Sequence, residues 1–261
     1  MKKIFALTLA CLMLVGTLCA CGDSGSKSGD GLETVEKGKL IMSTNAAFPP
    51  YEMTTDDGGY AGIDVEIAQA VADKLGLELV IDDMDFDAAL LAVQQGKSDI
   101  VMAGVSVTKD RKKVMDFSDS YATGIQVVIV KEGSDVTMDN LDGKKIGTQR
   151  GTTGYLYASD TPENGGYGEE NVIAYDNGAS AVMALQNGQV DCVIIDKAPA
   201  QEYVKVNSDL TLLEGSWVEE QYAIGFDKGN TELRDRVNEV LKELQEDGTI
   251  QKIIDKYITA N

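Results

Sequence analysis

The stretch Ala92-Val93-Gln94-Gln95-Gly96-Lys97-Ser98-Asp99-Ile100-Val101 returns later in the chain as Ala184-Leu185-Gln186-Asn187-Gly188-Gln189-Val190-Asp191-Cys192-Val193, with five of ten positions identical. Each copy reads as a helix end, a glycine stop, a tight turn and a buried strand. Such junctions recur in any protein where helices and strands alternate, but the matched Gln-x-Gly-x-x-Asp favours two similar lobes. Neither copy is long enough to be a solenoid unit. Outward from this pair, short β-branched runs predict strands over residues 40–42, 77–81, 100–102, 126–130, 145–148, 172–174 and 192–195. Helical spacing lies between them. Val65, Ala68, Val71, Ala72 and Leu75 form one stripe, with Asp64 as N-cap and Gly76 as stop. Leu233, Val237, Val240, Leu241 and Leu244 form another. The alternation predicts an α/β protein with largely parallel sheets.

Composition narrows the function. The 261 residues are 43% hydrophobic and 25% charged, enough for a sizeable core in one large domain or two modest ones. With 23 Lys+Arg against 43 Asp+Glu the formal charge is −20, which repels phosphate backbones and argues against nucleic-acid binding. The chain has no histidine, so His-based catalysis and His metal ligands are excluded. Of its four cysteines, three fall within the first 21 residues, which excludes a disulfide scaffold or a four-cysteine zinc site. The fourth, Cys192, sits in an apolar run and reads as a small buried hydrophobe.

The N-terminus reads as an address. Lys2 and Lys3 precede an apolar run over residues 4–18, too short to span a membrane comfortably but of signal-peptide proportions. Leu18-Cys19-Ala20-Cys21 resembles a bacterial lipoprotein processing box, which implies cleavage before Cys21 and a lipid on that residue; ordinary secretion by cleavage near Ala20 is the alternative. The expected layout is a signal peptide over 1–20 and a lipidated Cys21 with a Gly/Ser-rich tether over 21–36.

Several motifs fail on inspection. Asp83, Asp85 and Asp87 open like a calcium loop, but Ala88 and Gln94 stand where Gly and Glu are required. No phosphate loop, dinucleotide fingerprint or nucleophile elbow is present, and no metal site or cofactor is expected. Acidic pairs such as Glu169-Glu170 and Glu219-Glu220 read as solvated surface. What remains fits a free amino acid. Its carboxylate wants a bidentate arginine and backbone N–H groups, its ammonium a carboxylate and oxygens, and its side chain an aromatic wall. Gly104, Ser106 and Arg111 follow the strand over 100–102; Thr152 and Thr153 follow the one over 145–148; Asp196 ends the one over 192–195; Phe48 follows the first, beside two prolines. These are strand ends, where α/β folds place ligands. Singly, Arg111 reads as a surface charge, Thr152-Thr153 as a plain cap, Asp196 as a helix N-cap and Phe48 as core.

Together, and in this order, Phe48-Pro49-Pro50-Tyr51-Glu52, Gly62-Ile63-Asp64, Val105-Ser106-Val107-Thr108-Lys109-Asp110-Arg111, Gly151-Thr152-Thr153, Asp191 to Asp196 and Asp247-Gly248-Thr249 resemble the solute-binding proteins of polar amino-acid ABC importers, extracellular family 3 in its lipoprotein form. The resemblance runs from about residue 37 to the C-terminus. It implies the type II periplasmic-binding-protein fold, two α/β lobes joined by a two-strand hinge, with one lobe from 37–124 plus 217–261 and the other from 125–216. By position, Arg111 and Thr153 would clamp the ligand α-carboxylate. Asp196, the Gly104 carbonyl and the Ser106 hydroxyl would hold the α-ammonium, and Phe48 and Phe86 would sandwich the side chain. Asn45, Glu52 and Gln149 lie where the family varies specificity; cation-selective members often carry an acid at the position of Asn45, where this chain has an amide and Glu52 could supply the charge. The implied partners are a free amino acid, the permease of an ABC importer and a membrane held through the lipid, with the protein a monomer on the outer face of the cytoplasmic membrane. The alternatives are an enzyme on the same fold, such as a cyclohexadienyl-type dehydratase, and a ligand sensor for a separate signalling partner.

Overall fold

The computed structural model describes residues 32–258. The expected signal peptide, Cys21 and most of the tether lie outside the described residues. The strands are β1 Lys39–Thr44, β2 Ala47–Phe48, β3 Glu52–Thr54, β4 Tyr60–Ala61, β5 Glu78–Asp83, β6 Ile100–Val101, β7 Met115–Lys131, β8 Ile146–Gln149, β9 Val172–Tyr175, β10 Cys192–Asp196, β11 Leu210–Leu212 and β12 Val218–Asp227. The helices are α1 Ile63–Leu75, α2 Phe86–Gln94, α3 Arg111–Val114, α4 Thr153–Ala158, α5 Gly178–Gln186, α6 Lys197–Val206, α7 Thr231–Glu246 and α8 Thr249–Tyr257.

One curled sheet runs β5-β1-β6-β12-β7-β10-β8-β9, with β11 against β7, and β2-β3-β4 form a small separate sheet. On one side β1 pairs in parallel with β5 and β6. On the other β8 pairs in parallel with β9 and β10. The two long strands β7 and β12 run antiparallel between these sides. The expectation of largely parallel sheets therefore holds for each side and fails at the middle. β7 begins at Met115, well before the run over 126–130 that periodicity singles out. Its first half carries Asp, Ser and Thr, which hide a strand from a hydrophobicity reading.

The repeated sequence has a structural cause. Asp99, buried, accepts the backbone N–H groups of Val35 and Ile41 at 2.7 Å each, fastening the start of β1. Asp191 accepts the N–H of Lys145 at 2.8 Å and fastens the start of β8 in the same way. Gly96 and Gly188 turn at φ +63° and +70°, a region costly for any side chain. The motif thus joins helix, turn and parallel strand once on each side of the sheet.

Leu233, Val237, Val240, Leu241 and Leu244 of α7 are all buried, as their spacing predicts. Burial of each is worth about 1.5–3 kcal/mol. Cys192 is fully buried, and burial pushes its thiol up to about 12, consistent with an inert hydrophobe. One cap is corrected: α1 starts at Ile63, and Asp64 lies inside its first turn, fully buried, accepting from the Gly104 N–H and the Tyr121 hydroxyl. Among the described residues no helix is long and apolar enough to cross a membrane.

Candidate functional site

The C-terminal ends of four strands converge on one cavity. Asn45 follows β1, Ala103 to Ser106 follow β6, Gln149 ends β8 and Asp196 ends β10. Phe48 ends β2, Glu52 opens β3, and Phe86, Arg111 and Thr153 are the first residues of α2, α3 and α4. All ten candidate residues line this cavity. Its walls come from both sides of the sheet, and Arg111, Asp196, Thr153, Phe48 and Phe86 are each buried there. For a solute to get in, the walls must part.

The Thr108 hydroxyl accepts the Arg111 N–H at 3.1 Å where the short helix α3 begins. The guanidinium lies 5.5 Å over the Phe86 ring and donates to the carbonyls of Ser106 at 2.8 Å and Gly151 at 3.0 Å. Burial pulls its pKa down, and the charges of Glu220 and Asp196 oppose that; arginine stays protonated regardless. Gly104 has φ +56°, and a Cβ there would stand 2.9 Å from the Phe48 ring, so only glycine lets the ring lie this close. Asp196 occupies the N-cap position of α6 without capping it. Its carboxylate instead accepts from the Tyr222 hydroxyl and from the Gln126 amide. Burial raises its pKa to about 7, against the pull of the Tyr222 bond.

Elsewhere in the lining, Gln149 donates to Asn45 Oδ1 at 3.0 Å, linking the two walls, and Asn45 donates to the Met84 carbonyl at 2.9 Å. Glu52 is fully buried, and neither of its carboxyl oxygens has a hydrogen-bond donor. Burial, then the neighbouring Asp64 charge, raises its pKa well above its ordinary value. Asp64 itself is raised to about 6 by burial. Glu52 is therefore a protonated carboxyl beside Asp64, buried without a hydrogen-bond partner.

The profile of bacterial extracellular solute-binding proteins, family 3, matches residues 40–260. The chain belongs to that family. The Arginine-binding extracellular protein ArtP of Bacillus subtilis (strain 168) is 34% identical over 265 residues, covering 99% of both chains. The crystal structure of the arginine-, lysine-, histidine-binding protein ArtJ from Geobacillus stearothermophilus superposes with a TM-score of 0.79 at 34% identity, covering 85% of this chain and 96% of that one. An ancestral arginine-binding protein bound to glutamine gives a TM-score of 0.79 at 37% identity, covering 86% of this chain and all of that one. The fold is accordingly the type II periplasmic-binding-protein fold, and the family's place of work is outside the cytoplasm.

In this solute-binding protein the lining residues Ser106, Thr153 and Asp196 are held from behind by residues that the sequence reading passed over. Glu220, read as solvated surface with Glu219, is buried on β12, and its carboxylate accepts from the hydroxyls of Ser106 and Thr153. Gln126 on β7 bridges Asp196 and Glu220. Tyr222 is fully buried behind Asp196. The signal for Glu220 was its spacing: it stands two, four and six residues before the apolar Tyr222, Ile224 and Phe226, on one strand face.

Proposed function

We propose that this solute-binding protein captures a free polar amino acid between two lobes, closes on it and delivers it to the permease of an ABC importer. The observation that carries this reading is a guanidinium and a carboxyl group facing one cavity from opposite walls: Arg111 after β6 and Asp196 at the end of β10. A zwitterion satisfies both at once, carboxylate to guanidinium and ammonium to carboxylate. The Thr153 backbone N–H completes the carboxylate clamp, its hydroxyl proton being given to Glu220; Ser106 and the Gly104 carbonyl assist the ammonium, and Phe48 and Phe86 flank the side chain. The lobes are 37–124 with 217–261, and 125–216, hinged where β7 pairs with β12. Only a ligand that touches both lobes favours the closed state. The chain works as a monomer, held to the outer face of the membrane by a lipid on Cys21 after removal of residues 1–20.

Asn45, Glu52 and Gln149 select the side chain. Glu52 is a buried, unpartnered carboxyl that lines the cavity with Asn45 and Gln149; a guanidinium that displaces its proton suits it first and an amide second. Membership in a family of solute-binding receptors speaks against the dehydratase reading, and a sensor would differ in its partner while keeping this site.

Thermal unfolding against a panel of amino acids, cystine and ornithine tests the proposal. Cargo at 100 times its Kd stabilises by about 2.7 kcal/mol, or roughly 5–10 °C for a chain of this size. A rise confined to arginine, or to arginine and glutamine, is expected. No rise with any amino acid overturns the reading, and a rise that survives Arg111→Ala overturns the clamp.

A further inference from the structure

Glu219 and Glu220 part company in the fold: on β12 Glu219 is exposed and Glu220 is 8% exposed. A single Glu220 oxygen, Oε2, accepts from the Thr153 hydroxyl at 2.6 Å, the Ser106 hydroxyl at 2.9 Å and the Gln126 amide at 3.2 Å. These donors have different origins. Ser106 lies on the wall that follows β6, and Thr153 opens α4 on the opposite wall. Glu220 and Gln126 stand on the two antiparallel strands that cross between the walls, where Glu220 pairs with Gly124. Arg111 donates across the same gap to Gly151. Hydroxyl-to-carboxylate bonds of this kind are charge-assisted and strong. A carboxylate that grips one hydroxyl from each wall can do so only when the walls are together, so it favours that arrangement.

We propose that Glu220 is a positioning residue for cargo capture: its carboxylate is a latch that gathers the Ser106 and Thr153 hydroxyls from opposite walls and holds the cleft in the shape that takes an amino acid's α-groups. This rests on the reading of the cleft as an amino-acid site. The latch acts where every amino acid is alike, so its loss weakens all cargo by one factor. Glu52 discriminates between side chains instead.

The test uses the full chain with Glu220→Gln, which keeps the shape and removes the charge, and Glu220→Ala. Calorimetric titration with L-arginine and L-glutamine gives affinity, small-angle scattering without cargo gives the radius of gyration, and circular dichroism checks folding. Both variants are expected to bind whichever of the two amino acids the wild type takes roughly ten- to a hundredfold more weakly, by the same factor where it takes both. Their radius of gyration should exceed the wild type's and return to it at saturating cargo. Unchanged or tighter binding overturns the latch, tighter binding meaning that Glu220 competes with cargo for the hydroxyls. A loss confined to one amino acid overturns it too, since Glu220 would then read the side chain. A wild type that binds no amino acid overturns the functional reading alone; the scattering comparison then decides the latch by itself, an unchanged radius overturning it.

Discussion

At the residue scale the decisive groups are buried carboxyls. Asp196, raised to about 7 by burial, keeps a proton in the folded chain that an unfolded aspartate loses near pH 4. The folded state therefore binds more protons across that window, and stability falls as pH rises from about 4 to about 7, by something on the order of 4 kcal/mol from this group. Asp64, raised to about 6, adds in the lower part of the same window. Asp196→Asn should remove the Asp196 share, raise the unfolding midpoint of the cargo-free protein at pH 8, and abolish amino-acid binding; melts between pH 4 and 8 read the first two effects and titration the third. Gln126 Oε1, buried without a partner, is available to accept from the new amide. Glu52 gives a second pH effect of opposite sign. A guanidinium beside it favours the carboxylate form, so arginine binding should release a proton and tighten as pH rises from 6 to 8. Glu52→Gln should flatten that dependence and weaken arginine more than glutamine. Proton release is read from binding heats in buffers of different ionisation enthalpy; release with arginine no greater than with glutamine, which shares the Asp196 contact, would exclude a Glu52–guanidinium contact.

At the element scale the same motif meets different surroundings. Asp99 and Asp191 each fasten a strand start, but Asp99 is buried with two backbone N–H partners, while Asp191 is exposed with one. Water replaces a lost partner at the second site and not at the first. Asp99→Asn should cost about 2 kcal/mol and Asp191→Asn well under 1, and the two should add, since the sites are on different sides of the sheet. Urea unfolding of the single and double variants checks both statements; equal costs would show that burial does not set the value of the motif. The long β7 and β12 are the other element-scale feature. Their middle registers, Glu219 with Ile125, Glu220 with Gly124 and Gln221 with Thr123, are the only direct route by which one wall of the cavity is strand-paired to the other among the described residues.

At the scale of the whole molecule, a net charge of −20 surrounds a cleft whose proposed contacts to the α-groups pair one cation with buried acids. The exterior field attracts cationic solutes over a Debye length and is screened by salt. The association rate of arginine should therefore fall between 20 and 300 mM salt more than that of glutamine, measured by stopped-flow. Equal salt dependence would remove long-range steering from the account.

Sequence alone carried the α/β alternation, the α7 stripe, the buried Cys192 and the strand-end residues, because these rest on local rules: periodicity, turn glycines and motif order within a few residues. It also placed Arg111, Thr153 and Asp196 after strand ends; their grouping as a set came from the motif order that resembles the family. Only the tertiary structure decided what faces what. Asp64 reads locally as a cap and is in fact a buried acceptor beneath Gly104, and Glu220 reads locally as surface and is in fact gripped by two walls. Their partners lie 40 and 114 residues away for these bonds to Gly104 and Ser106. Burial of a carboxylate depends on which distant groups close over it, and no window along the chain contains them.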